Sequence, residues 1–189
     1  AWGVTRVPLS FWYKYSRECL LLSLFFLLLV LIPGLGRMVN GSRRWLNLGF
    51  CSLQISEFVK LSVVIYLSGY LTRYADSIKA SLGTFLKPMV VLSVVALLLL
   101  MEPDFGGLTV ISIVFLSLLF LSGGRLTPFI VIVVLVVSLM AALAVMAPYR
   151  LLRLTTFLPP WDHAYGSGYQ LTQSLIAFGR GGWFGVGLG

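Results

Sequence analysis

The sequence predicts an all-α fold, a polytopic transmembrane helical bundle. Two observations carry this. Hydrophobic residues make up 59% of the 189 residues and charged residues only 11%, against about 45–50% and about 25% in globular domains. The apolar residues also fall into long runs, close to the roughly 20 residues a helix needs to cross a bilayer. Barrel strands would be half that length and would alternate in polarity. This composition excludes a soluble enzyme, a disordered chain and a disulfide-stapled secreted domain.

In chain order the first run is Cys19–Ile32, with Tyr13 to Glu18 able to add an interfacial turn. It follows Lys14 and Arg17 as a signal peptide would, but four further spans argue against that reading. The second run is Leu53–Leu71, the third Phe85–Met101, the fourth Gly107–Leu121 and the fifth Leu126–Ala147. Gln170–Phe178 is too short and polar to span, and reads as a re-entrant piece or the start of another helix. The chain opens on Ala1 and closes on Gly-Val-Gly-Leu-Gly, which reads as an internal fragment, 1–189, of one integral membrane domain. Cys19 and Cys51 have no metal or disulfide spacing, and a lone His163 excludes a histidine-cluster metal site.

Net charge is +8, from 14 Lys+Arg against 6 Asp+Glu. A chain with so little soluble surface does not bind nucleic acid with it; a membrane surface or an anionic lipid substrate is the better partner. The loops alternate sides. One set is the N-terminal stretch, 72–84 and 122–125; the other is 33–52, 102–106 and the large outer loop 148–189. Basic residues divide almost evenly between them, so the positive-inside rule barely chooses. Arginines on the outer side oppose the topology bias, and binding an anion is a reason for them; interfacial snorkelling is the alternative.

Glu57 and Lys60, three apart, share a helix face. Charges within a span are costly, so they are expected to face the interior and pair, lining a polar cavity or fixing helix packing. Glu102-Pro-Asp104-Phe-Gly-Gly is a tight reversal between two spans, where Asp104 reads as a helix cap and the two carboxylates face nearby arginines or a cation. The loop 148–189 carries Arg150, Arg153, His163, Tyr169, Gln170 and one carboxylate, Asp162. Asp162 is read as a general base, an ion-pair partner or a solvated turn residue. The glycines of 179–189 lack the GxxxxGK spacing of a phosphate loop.

NGSRRWLNLG, LQISEFVKL, MEPDFGG, YRLLRLTTFLPPW and GSGYQLTQSLIAFGRGGWFGVGLG occur in this order. Together they resemble the SEDS family of polytopic proteins, typified by FtsW and RodA, and the last two look most like the division member, FtsW. The resemblance covers nearly the whole chain. It implies about five spans of a ten-span fold, in the bacterial inner membrane at the division septum. The RRW pattern matches Arg43, Arg44 and Trp45; the SE..K pattern matches Ser56, Glu57 and Lys60; PDFG matches Pro103 to Gly106.

The resemblance implies a peptidoglycan glycosyltransferase that polymerises lipid II during septal wall synthesis, with the essential aspartate in the large outer loop. Counted back from Gly166 the FtsW pattern points to His163; counted from Phe157 the RodA spacing points to Asp162, which takes the catalytic role. Arg43, Arg44, Glu57, Lys60, Arg150, Arg153, His163, Tyr169 and Gln170 are the expected substrate-binding set. A single carboxylate suits the chemistry, because a diphosphate leaves without a proton when cations hold its charge. Those are the arginines, with room for a divalent cation, Mg or Mn, and no organic cofactor. The implied partners are lipid II, a class B penicillin-binding transpeptidase and other division-complex membrane proteins. A lipid II flippase and a structural scaffold are the competing functions. The fragment alone is expected to be inactive.

Overall fold

A computed structural model describes residues 6–32, 36–39, 42–47, 52–147, 161–162, 164–166, 168–183 and 185–187. The chain divides into two compact units, 1–136 and 137–189. In order, the elements are α1 (Leu9–Lys14), α2 (Ser16–Leu31), β1 (Gly36–Val39), β2 (Ser42–Asn47), β3 (Ser52–Gln54) and α3 (Ile55–Arg73). These are followed by α4 (Ala75–Ala80), α5 (Leu82–Met101), α6 (Phe105–Leu121), α7 (Leu126–Val145) and α8 (Tyr169–Gly181).

Each of the five expected spans is mainly helical, but Leu53 and Gln54, the expected start of the second, belong to β3, and the fifth ends at Val145 rather than Ala147. Three of them, α3, α5 and α7, are long and apolar enough to cross a membrane alone. The other two, α2 and α6, have 16 and 17 residues, which at 1.5 Å per residue is about 24–26 Å, short of a hydrocarbon layer about 30 Å thick. Of the extra turn expected at Tyr13 to Glu18, Ser16 to Glu18 open α2, while Tyr13 and Lys14 end a separate helix, α1, set off at Tyr15.

Within the first unit α2 packs on α3, α3 on α6, and α5 on α6. Small residues set the closest approach. A Cβ on Gly69 of α3 would lie 3.1 Å from the Ser16 hydroxyl of α2, so the missing side chain lets the two backbones meet as they do in membrane bundles. Ile78, Phe85, Leu119 and Ile132 form a buried apolar cluster. Side chains facing away, such as Val90, Leu97, Ile113 and Phe120, are exposed and apolar, as a lipid-facing surface requires.

With no water in a bilayer, every backbone group needs an internal partner. Pro88 sits inside α5 and has no N–H to offer the carbonyl four residues back, that of Thr84. The Tyr70 hydroxyl of α3 donates to this carbonyl at 2.9 Å. Hydroxyls within the helices follow the same rule: those of Ser62, Ser93, Thr109 and Ser117 each donate to the carbonyl one turn earlier.

The stretch expected as loop between α2 and α3 holds a three-stranded antiparallel sheet, β1-β2-β3. Gly36 faces Leu46 and Val39 faces Ser42, with an irregularity at Arg37/Met38; Trp45 faces Gln54. Asn40-Gly41, the residues between β1 and β2, are a strong short-range hairpin signal.

The predicted alternation of loops holds within the first unit. At one end, Arg73 donates to the Tyr13 hydroxyl at 3.3 Å, and Arg125 donates to the carbonyls of Lys79 and Ala80 at 3.3 and 3.0 Å. These contacts join the N-terminal stretch, 72–84 and 122–125. At the other end, β2 meets the 102–106 reversal through Arg44.

Candidate functional site

The reversal between α5 and α6 is three residues long, Glu102-Pro103-Asp104. Asp104 closes it as the N-cap of α6, accepting from the Gly107 N–H at 3.1 Å. A Cβ on Gly107 would lie 2.7 Å from Asp104 Oδ2, so glycine makes room for this cap. The Asp104 N–H in turn donates to the Leu99 carbonyl at 2.8 Å.

Arg44 reaches the reversal from β2. Its Nε donates to the Glu102 carbonyl at 3.3 Å, one Nη to the Pro103 carbonyl, and the other lies 3.5 Å from Asp104 Oδ1. The planar fork of a guanidinium lets it satisfy two carbonyls and a carboxylate together. Arg44, expected to hold substrate, is thus engaged by the fold at this end of the bundle.

Glu102 is fully buried, and among the described residues neither carboxylate oxygen has a hydrogen-bond partner. Burial, then the negative charge of Asp104, push its carboxyl up to about 8, against a smaller opposing pull from Arg44. An unpaired carboxylate in such a place neutralises rather than stays charged. The sequence marked Glu102 as one of two carboxylates at this reversal, but its spacing gave no sign of burial.

Glu57 and Lys60 do pair, at 2.7 Å. They lie in the first two turns of α3 rather than deep in a span, and the Glu57 side chain is 60% exposed. The expectation that both face the interior is therefore not met in the described residues. An exposed i,i+3 pair contributes only about 0.2–0.5 kcal/mol.

In the second unit, Trp161 and Asp162 lie in a turn and are both exposed. Among the described residues Asp162 makes no ion pair. Tyr169 and Gln170 open α8, both exposed. Thr172 is buried, and its hydroxyl lies 3.1 Å from the Gly168 carbonyl and 3.5 Å from that of Ala164. Its nearest acceptor is the Tyr169 carbonyl at 3.0 Å, so it anchors the first turn of α8 and reaches the Ala164 carbonyl beside the turn carrying Asp162 only at the limit of a hydrogen bond, a place no motif in the sequence flagged. Arg150, Arg153 and His163 lie outside the described residues, as does the side chain of Arg43, whose backbone faces Met38 in the sheet.

Among the described residues no group of three or more His, Cys, Asp or Glu side chains converges as a metal site. A groove of about 510 Å³ between α1 and α3, walled by Leu9, Trp12, Leu61, Ile65 and Gly69, offers no carboxylate, imidazole or amine to a reaction.

The fold and these elements define a multi-pass helical membrane protein with a polar end built on a strand, a buried acid and a capped reversal. The chain belongs to the FtsW/RodA/SpoVE family of cell cycle proteins, whose profile matches residues 1–189. It is 55% identical over its whole length to a protein of Coxiella burnetii named "Probable peptidoglycan glycosyltransferase FtsW", covering 51% of that protein. It is 54% identical over 98% of its length to the protein of that name from Legionella pneumophila, covering 47% of it. The chain thus spans about half the length of these relatives. Among solved structures it is similar to a chain of a peptidoglycan synthase complex that coordinates polymerization and crosslinking. That match has a TM-score of 0.68 and 27% identity over 96% of this chain and 53% of that one. It is also similar to the rod shape determining protein RodA of Thermus thermophilus, with TM-score 0.57 and 26% identity over 70% of this chain and 41% of that one.

Proposed function

We propose that the whole protein is a peptidoglycan glycosyltransferase that polymerises lipid II into glycan strands during septal wall synthesis. The observation that carries this is the 55% identity, across the entire chain, to a relative named for that activity. Asp162, exposed in the turn before α8, is the general base: it takes the proton of the acceptor hydroxyl as that oxygen attacks the anomeric carbon, while the lipid diphosphate departs. Tyr169 and Gln170, exposed at the start of α8, together with Arg43, Arg150, Arg153 and His163, contact the sugar-diphosphate. A divalent cation, brought by the substrate's own diphosphate, would help the arginines neutralise the leaving group. Loops 33–52, 102–106 and 148–189 face the periplasm. The partner is a class B penicillin-binding transpeptidase at the septum, in keeping with the similarity to a synthase complex that couples polymerization to crosslinking.

The test is polymerisation of labelled lipid II by the full-length protein with its transpeptidase. Asp162→Asn is expected to bind lipid II and lose about a hundred- to ten-thousand-fold in rate. Wild-type yield from Asp162→Asn, with loss in His163→Ala, would move the base to His163. Unchanged yield in both with loss of lipid II translocation would favour the flippase.

A further inference from the structure

We propose that Glu102 is a positioning residue held as a neutral acid beside Arg44, and that its proton sets how Arg44 grips the reversal between α5 and α6. This does not depend on the reaction proposed above.

Glu102 is completely shielded, and among the described residues both its carboxylate oxygens lack a partner. Arg44 spends its donors on the backbone carbonyls of Glu102 and Pro103 and on Asp104. That arrangement is stable while Glu102 is neutral. Among the described residues Arg44 is the cation that acts on Glu102, and once Glu102 is ionised the guanidinium cannot serve both carboxylates and both carbonyls with the same planar fork. β2 then loses its tie to the reversal.

Among the described residues the charged groups that act on Glu102 are Asp104 and Arg44; the side chains of Arg37 and Arg43 in the sheet lie outside them. α6 carries no ionisable side chain, Arg17 and Glu18 of α2 and Lys87 of α5 sit at the opposite ends of their helices, and Glu57 and Lys60 at the start of α3 satisfy each other. The proton on Glu102 therefore couples mainly to Arg44 and Asp104.

The experiment uses purified full-length protein in nanodiscs. The infrared band of a protonated carboxyl is followed from pH 5 to pH 10 in wild type, Glu102→Gln and Glu102→Asp. A band present at pH 7, titrating with a midpoint near 8, moved by Glu102→Asp and missing in Glu102→Gln is expected. The thermal midpoint of wild type should fall as pH rises towards 8, because the folded state holds a proton that the unfolded state releases near 4.5. Glu102→Gln should be flat across that window. At pH 9, amide exchange at residues 42–47 should be several-fold faster in wild type than in Glu102→Gln. A Glu102-dependent band already gone at pH 6, parallel thermal profiles in wild type and Glu102→Gln, or equal exchange rates at residues 42–47 would each overturn the proposal. Should Glu102→Gln fail to fold, the wild-type band and its shift in Glu102→Asp still decide it.

Discussion

Arg44 lies 3.5 Å from Asp104 across 60 residues of sequence, and the same guanidinium holds the carbonyls of Glu102 and Pro103. One side chain on a strand thereby fixes the turn between two membrane helices. Asp104 is almost fully buried, with 7% of its side chain exposed, so it depends on this cation and on the Gly107 N–H.

Replacing Arg44 should therefore act through the fold. Arg44→Ala leaves a buried carboxylate and two carbonyls short of donors, and is expected to lower stability by about 1–3 kcal/mol. Arg44→Lys keeps the charge but not the fork, and should recover only part of that loss. Thermal unfolding of the two variants in detergent checks the order; equal stability of Arg44→Ala and wild type would show the clamp to be incidental.

Asp104→Asn separates charge from capping, because asparagine caps a helix about as well as aspartate. The negative charge of Asp104 is one of the causes that raise the Glu102 carboxyl. Its removal, with Arg44 released from its partner, should move the Glu102 titration below 8. The loss of stability with rising pH should then be complete at a lower pH than in wild type. A titration unmoved, or moved upward, contradicts the coupling.

Tyr70→Phe tests the proline in α5. The substitution keeps the ring and removes the hydroxyl that donates to the Thr84 carbonyl. The carbonyl freed by Pro88 is then unsatisfied in an apolar setting, a loss of about 1–3 kcal/mol. Restoring a donor with Pro88→Ala in the Tyr70→Phe background should recover most of it, which a double-mutant cycle of thermal midpoints measures.

Thr172→Val keeps shape and removes the buried hydroxyl between α8 and the turn at Trp161–Ala164. With the turn less firmly held, lipid II polymerisation should drop several-fold while lipid II binding stays near wild type. A loss of binding equal to the loss of rate would assign Thr172 to substrate contact.

Much of this protein was legible in the linear chain. Leu82–Met101 and Leu126–Val145 are helices because only a helix satisfies its own backbone in lipid, and uninterrupted apolar runs of that length have no other stable form there. Asp104 as a cap followed from its place before Phe105-Gly106-Gly107, since capping is a contact between residues three apart. The Glu57–Lys60 pair was local in the same sense. What tertiary structure decided was the environment of residues whose partners are distant. Arg44 and Asp104 meet because β2 folds back over the α5–α6 reversal, and no spacing rule connects positions 60 apart. Glu102 and Glu57 are the same residue type at the ends of neighbouring spans, yet one is sealed and the other is exposed. Their difference comes from which face the packed helices and the sheet happen to cover, and it is this burial, absent from the sequence, that makes one a proton-holding acid and the other half of a surface pair.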